Sequence, residues 1–199
     1  MTKHGARGYT AVELMLALSV LAVGSAGIIT MERVTAQATR HAKALTTATR
    51  IAEGWIDQLV ADSDKWKVGE TEAANYASTD WIVQQSRPDW FRPEYVGARA
   101  WGAAFDMNGS PQRLPSVNTV FCSDIRFKWL YPSVASSTQG GGLLRAEVRV
   151  YWSRTSVPDL RIPLGDNPCS WTALNVTSPE GLKAYHFVYM TTALLQHDQ

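Results

Sequence analysis

Hydrophobic and polar residues divide the chain into two very different parts. From Leu14 to Met31 eighteen residues follow one another without a charge. As an α-helix this segment is about 27 Å long, close to the thickness of the hydrocarbon core of a bilayer. Because Lys3 and Arg7 precede it, the positive-inside rule places the N-terminus in the cytoplasm. Everything after residue 33 is then expected outside the inner membrane.

Three interpretations of this segment are open on the residues alone. It is a cleaved secretory signal with the small residues 25–27 near the cut, a plain single-pass anchor, or a helix that later leaves the membrane. The third interpretation depends on Glu13, because a lone carboxylate at the head of an apolar run is costly in hydrocarbon. A signal or an anchor gains nothing from this carboxylate, whereas a helix that pairs with a neighbouring subunit can use it.

The helical pattern continues beyond the apolar segment. Apolar side chains recur at steps of three and four residues, which marks one face of a helix; they are Val34, Ala38, Ala42, Leu45, Ala48, Ala52, Trp55 and Leu59. No proline occurs before Pro88. We therefore predict one helix from about Thr10 to Val60, apolar all round in its first half and amphipathic over 34–64. Trp55 and Leu59 are predicted to pack under a globular head formed by residues 65–199.

The head begins with a segment that has no regular pattern. Residues 65–118 show no sustained periodicity and predict a long irregular connection. Its tryptophans, Trp81, Trp90 and Trp101 among them, either pack in the core or form a subunit contact. Asp106 to Gly109 resembles the start of a Ca²⁺-binding loop, but the late glutamate of that pattern is missing, and a turn accounts for the four residues.

Alternation of apolar and polar residues then predicts a sheet over 119–195. The predicted strands are 119–131, 144–152, 160–164, 172–176 and 185–194. In the first of them Ile125, Phe127 and Trp129 lie on one face, and Arg126 and Lys128 lie on the other. Together with Arg145, Arg149 and Arg154, these two cations are predicted to form a solvated strand face, with a partner-binding patch as the alternative. The predicted fold class is α+β, a long N-terminal helix packed on an antiparallel sheet.

Composition and motifs argue against several functions. The 19 Lys and Arg residues nearly balance 18 Asp and Glu residues, so there is no electrostatic reason to expect direct binding of nucleic acid. No nucleophile-elbow, zincin or phosphate-loop motif occurs, and the four histidines lie far apart in the sequence. We therefore expect neither an enzyme nor a metal site nor a cofactor.

The residues at the N-terminus resemble those of a known family. Residues 7–14 read Arg-Gly-Tyr-Thr-Ala-Val-Glu-Leu and lead into the apolar helix, a pattern similar to the class III signal of type IV pilins and pseudopilins. The resemblance implies that residues 1–8 are a leader and that a prepilin peptidase cuts between Gly8 and Tyr9. It also implies that Tyr9, where the family usually has Phe, is N-methylated. Glu13 is then the carboxylate that pairs with the terminal amine of an adjacent subunit, within a transmembrane and assembly helix over 9–33.

The resemblance also implies a function. The helix-kinking proline of major pilins is missing, which fits a minor pilin or pseudopilin. Ala52-Glu53 and the run Val-Arg-Val-Tyr-Trp-Ser over 148–153 are similar to PilV-like minor pilins and I-type minor pseudopilins. Such a subunit starts or caps a type IV pilus, and its partners are the peptidase, other minor pilins, the major pilin and the inner-membrane assembly platform. The alternatives are a minor pseudopilin of a type II secretion system and a membrane-anchored periplasmic binding domain.

The two cysteines are Cys122 and Cys169. Outside the inner membrane the compartment is oxidising, which favours a disulfide that closes a loop of 46 intervening residues. Two buried free thiols are the alternative.

Overall fold

The fold is a long helix followed by a five-stranded antiparallel sheet, as the α+β prediction expected. The computed structural model describes residues 10–63, 79, 90–96, 101–113, 118–131, 143–154, 169, 176 and 178–195. The elements are α1 (Ala11–Ser63), β1 (Ala104–Phe105), β2 (Pro111–Gln112), β3 (Phe121–Tyr131), β4 (Leu143–Ser153), α2 (Pro179–Ala184) and β5 (Tyr185–Leu195). The strand order is β2-β1-β3-β4-β5, and every neighbouring pair is antiparallel.

Helix α1 extends over 53 residues, within three residues of the predicted bounds at either end. The chain divides into two compact units, Met1–Lys43 and Ala44–Gln199. In the second unit α1 buries one face, and the buried apolar residues recur at the predicted spacing: Ala48, Ile51, Ala52, Trp55 and Leu59. The predicted stripe begins earlier than the buried one, since Val34 is 62% exposed. Periodicity identifies a helix face but carries no information on how much of that face another element covers.

The main core lies between this part of α1 and one face of the sheet. Trp55 is 1% exposed, and its indole N–H donates to the Ser123 hydroxyl at 3.0 Å. Trp101 meets Trp55 edge-on with 5.4 Å between ring centroids, so the core interpretation holds for this tryptophan of the connection. A Cβ at Gly54 would come within 2.5 Å of the Trp101 ring, and only glycine allows this close approach.

Strands β3, β4 and β5 form the body of the sheet. Each has eleven residues, and β4 and β5 pair without a shift from Leu143 opposite Leu195 to Ser153 opposite Tyr185. In β3 the predicted alternation is confirmed, because Ile125 and Phe127 pack in the core with α1 while Arg126 lies on the other face. The predicted strand 160–164 lies outside the described residues. The predicted strand 172–176 also lies outside them, except for Val176. Val176 is helical, and the predicted strand therefore does not extend to it.

The predicted irregular connection contains two short strands joined by a tight turn. Asp106 Oδ1 accepts from the backbone N–H of Asn108 at 2.8 Å and of Ser110 at 2.9 Å. Gly109 has φ +82°, which L-residues with a side chain rarely adopt. The turn predicted for these residues is therefore confirmed, and the aspartate serves the backbone.

Another part of the connection runs along the edge of β3. Phe91 and Ile125 exchange two backbone hydrogen bonds, at 2.8 and 2.9 Å. Phe91 packs against the core with α1, and its ring lies 5.5 Å from that of Phe127. Because side chains alternate along an extended segment, Trp90 and Arg92 lie on the opposite face of the sheet.

Candidate functional site

The first turn of α1 contains a reciprocal pair of side-chain hydrogen bonds. The backbone N–H of Thr10 donates to Glu13 Oε2 at 3.1 Å, and the backbone N–H of Glu13 donates to the Thr10 hydroxyl at 3.3 Å. This is a capping box, in which two backbone donors at a helix start are satisfied by each other's side chains. Sequence reasoning missed it, although Thr-x-x-Glu before an apolar run is its sequence signature.

The capping box uses only part of the Glu13 carboxylate. Both the backbone N–H and the hydroxyl of Thr10 donate to Oε2, and among the described residues Oε1 has no hydrogen-bond partner. Within the described part of the chain, the capping box therefore uses Oε2 alone. Gly8 and Tyr9, the predicted cleavage and methylation site, lie outside the described residues.

The helix that follows Glu13 presents an apolar surface. Its large apolar side chains are more than half exposed, and they are Leu14, Met15, Leu16, Leu18, Val20, Leu21, Val23, Ile28, Ile29 and Met31. By length and composition this part of α1 is able to cross a membrane, and none of it is buried within the protein. A signal sequence near an N-terminus has the same property.

The hydroxyl groups in the apolar segment are satisfied within the helix. Ser19, Ser25 and Thr30 each donate to a backbone carbonyl of the preceding turn, at 2.8 to 2.9 Å. In hydrocarbon an unsatisfied polar group costs several kcal/mol, so these bonds make the segment compatible with a bilayer.

In the head, Cys122 and Cys169 form the predicted disulfide. Their Cα atoms are 5.8 Å apart, and both residues are buried, which excludes the alternative of two free thiols. Cys122 lies at the start of β3 on the sheet face that does not carry α1, and it packs in a second cluster with Tyr151 and Tyr185. The bond therefore joins Cys169 to the sheet.

The same sheet face contains a buried ion pair that the sequence did not predict. Asp124 of β3 and Arg149 of β4 lie directly opposite each other, and Arg149 Nη2 donates to Asp124 Oδ2. Arg149 was predicted on a solvated strand face, and this was wrong, because it is 0% exposed. Alternation assigns the face of a strand, but whether that face meets water depends on what covers it.

Trp90 and Arg92, which precede β1, cover the buried Asp124–Arg149 pair. The Trp90 ring lies 4.4 Å from the Arg149 guanidinium and 4.7 Å from that of Arg126. Arg92 reaches the buried pair from the same segment, and its Nη2 donates to the Tyr151 hydroxyl at 2.9 Å. Burial and the Asp124 charge raise the pKa of Tyr151. The positive charges of Arg92 and Arg149 offset part of that rise.

Further along the strands the polar face opens to solvent. Glu147 is paired with both Arg126 and Arg145, whose side chains are about two-fifths exposed. Lys128 is exposed on the same face. For these three cations the solvated face that was predicted is close to what the structure has. Arg154 is also exposed, but it follows the end of β4 and its Nε donates to the Tyr185 carbonyl at 2.6 Å, so its place on that face was predicted wrongly.

The polar face of the sheet combines buried charges with aromatic side chains. Among the described residues no three His, Cys, Asp or Glu side chains group together as metal ligands do. The buried charges face each other across strands and the Trp90 ring covers them, which holds Trp90 and Arg92 against the sheet. Neither protein-family models nor curated proteins nor solved structures gave a match to the chain.

Proposed function

We propose that this protein is a minor pilin or pseudopilin, a non-enzymatic subunit that starts or caps a type IV pilus or a related filament. A prepilin peptidase cuts it after Gly8, and Tyr9 becomes the methylated N-terminus. The subunit resides in the inner membrane with its head in the periplasm before it enters the filament. Its partners are other minor pilins, the major pilin and the assembly platform of the inner membrane.

One observation carries the proposal. Glu13 lies in the first turn of a helix whose next eighteen residues carry no charge, and the large apolar side chains of those residues are more than half exposed. Lipid covers such a surface before assembly, and the helices of neighbouring subunits cover it afterwards. A carboxylate at this place is costly for a simple anchor, but it is useful to a helix that must recognise the end of another.

The capping box constrains how Glu13 takes part in assembly. Its Oε2 stabilises the start of the helix, and its Oε1 remains for the ammonium group of a neighbour's Tyr9. An opposite charge offsets the cost of both ions in a medium of low dielectric constant. One side chain therefore begins the helix and pairs with a neighbour at the same time.

The N-terminus of the mature protein tests this proposal. Full-length protein should be expressed in cells that contain a prepilin peptidase, purified from membranes, and its intact mass measured. The expected mass corresponds to a chain that begins at Tyr9 and carries one extra methyl group. Gly8→Val should leave the chain uncut, because an extended substrate with a side chain at this position does not fit a narrow membrane active site.

Gly5→Val is the matched control, since it places the same side chain three residues earlier in the leader and should be processed normally. A mature start near Ala26 would identify a conventional secretory signal and overturn the proposal. Normal processing of Gly8→Val would overturn the predicted cleavage site.

A further inference from the structure

Three cations follow the apolar segment of α1 on one face of the helix. Arg33, Arg40 and Lys43 are all exposed. At about 100° per residue they lie within an arc of about 80°, opposite the apolar side chains of Val34 and Ala38. Between the described residues every ion pair lies in the head, so no carboxylate among them pairs with these three cations.

The charge of this segment is not balanced within it. From residue 32 to residue 43 the sequence has three Lys and Arg residues and one acidic residue, Glu32. Glu32 lies about 17 Å from Lys43 along the helix axis, and it is adjacent in sequence to Arg33, where the two side chains diverge. Arg40 and Lys43 lie one turn apart, and like charges at this spacing repel each other. An anion beside them would offset that repulsion.

The distance from the apolar segment indicates where such an anion comes from. With Met31 at the boundary of the hydrocarbon, the Cα atoms of Arg33, Arg40 and Lys43 lie about 3, 14 and 18 Å beyond it. Helical side chains lean toward the N-terminus, here toward the bilayer, so these long side chains carry their charges several ångströms closer. The headgroup layer is about 5–8 Å thick, and the Debye length is about 8 Å at physiological salt. All three charges are therefore in the headgroup layer or within one Debye length of it.

We infer that Arg33, Arg40 and Lys43 form a binding surface for acidic phospholipid headgroups where α1 leaves the bilayer. A phosphatidylglycerol headgroup supplies the negative charge that this face lacks, and arginine binds phosphate through two parallel hydrogen bonds. Acidic residues of another protein have the same charge, but headgroups lie beside this face whenever α1 spans a membrane. The inference rests on that part of the proposed function, and it holds for either orientation of the helix.

Lipid binding by the full-length protein tests the inference. Protein purified in a detergent with an uncharged headgroup should be titrated with phosphatidylglycerol and, separately, with phosphatidylcholine of the same acyl chains. Native mass spectrometry measures the fraction with bound lipid. Phosphatidylglycerol should bind roughly tenfold more tightly, because each cation near the membrane surface attracts acidic lipid. Glycerol 3-phosphate at the same concentration should not compete, since it has no acyl chains to hold it beside the helix.

The combined variant Arg33→Gln, Arg40→Gln and Lys43→Gln should lose the preference for phosphatidylglycerol and bind phosphatidylcholine as before. Glutamine has a helix propensity close to those of arginine and lysine, so α1 should keep its helix, which circular dichroism checks.

The matched control is the combined variant Arg113→Gln, Lys128→Gln and Lys183→Gln, which removes as many exposed cations from the head and should keep the preference. Four results would overturn the inference: equal binding of the two lipids by the native chain, an unchanged preference in the α1 variant, an equal loss in the head variant, and competition by glycerol 3-phosphate. A protein adduct that the native chain keeps and the α1 variant loses would identify a protein partner on this face, and would overturn it as well.

Failure of this inference is distinguishable from failure of the proposed function. A chain that begins at methylated Tyr9 and resists alkaline carbonate extraction from membranes, yet shows no lipid preference, overturns the inference alone. A chain that carbonate releases, or that begins near Ala26, overturns the proposed function and the inference with it.

Discussion

Asp124 and Arg149 face each other across β3 and β4 and form a buried ion pair in which Arg149 has no solvent exposure. The Nε and Nη1 atoms of Arg149 are buried without a hydrogen bond, so Asp124 provides the guanidinium with its one hydrogen-bonded carboxylate. A buried pair of this kind is weak evidence of net stability, but removing one member leaves a desolvated charge alone. We therefore expect the stability of the head to depend strongly on Asp124.

Asp124→Asn should destabilise the head by about 3–5 kcal/mol, because the neutral amide leaves the Arg149 charge buried without a counter-ion. Glu147→Gln is the matched control on the same sheet face. Its partners Arg126 and Arg145 are partly solvated, so the loss should be below about 1 kcal/mol. Urea unfolding of the full chain in detergent, followed by tryptophan fluorescence, gives both values. Equal losses of unfolding free energy would show that the buried Asp124–Arg149 pair contributes no more to stability than the partly solvated pairs of Glu147.

The major elements of this fold were predictable from periodicity. Helix α1 and strands β3, β4 and β5 lie within a few residues of their predicted bounds, because each is long enough for its 3.6- or 2-residue repeat to stand out. Strands β1 and β2 were not predicted, since two residues are too few to show a repeat. They exist because β1 pairs with the start of β3, a contact between residues distant in sequence.

The environment of the polar sheet face could not be read from the strands. Trp90 and Arg92 cover Asp124 and Arg149 from a segment with no local pattern, so nothing near Arg149 in the sequence indicates burial. The disulfide was predictable because the sequence has two cysteines, which allow a single pairing within the chain, and the expected location outside the inner membrane favours that bond. The capping box at Thr10 was also readable from the residues.

The two roles assigned to Glu13 are separable by substitution. Glu13→Gln removes the charge but retains an oxygen for the capping box, whereas Thr10→Ala removes the N-cap and keeps the charge. We expect Glu13→Gln to be cleaved and membrane-resident but to fail in filament assembly. Thr10→Ala should assemble, with a local loss of about 0.5–2 kcal/mol at the helix start. Immunodetection in sheared-filament and membrane fractions, beside a count of filaments per cell, distinguishes them.

If both variants assemble normally, Glu13 is not an assembly contact. If Thr10→Ala fails as severely as Glu13→Gln, the helix cap and not the charge is what assembly requires.

Removing the disulfide should weaken the head. Changing both Cys122 and Cys169 to Ala should lower the free energy of unfolding by about 2–5 kcal/mol, because the unfolded chain regains the freedom of the closed loop. Urea unfolding of the oxidised, reduced and doubly substituted proteins measures the loss. The reduced native chain and the double variant should agree. An unchanged midpoint would show that packing of the second cluster maintains the stability of the head without the bond.

Alkaline pH should destabilise the head through its buried tyrosines. Burial raises the pKa of Tyr185 to about 12, whereas an unfolded tyrosine titrates near 10. Between these values the unfolded chain has lost a proton that the folded chain keeps, so stability falls as the pH rises, by at most about 1.4 kcal/mol per pH unit for this residue. Tyr185→Phe should reduce that slope. Unfolding midpoints over this pH range provide the test, and equal slopes for the two proteins would contradict it.

The close approach of Gly54 to the Trp101 ring has an evolutionary consequence. A methyl group at position 54 would overlap the indole, so a larger residue there requires a smaller one at 101. Relatives of this protein should therefore show covariation, with side-chain volume at one position falling as it rises at the other. Substitutions at positions 54 and 101 are therefore expected to occur together in evolution.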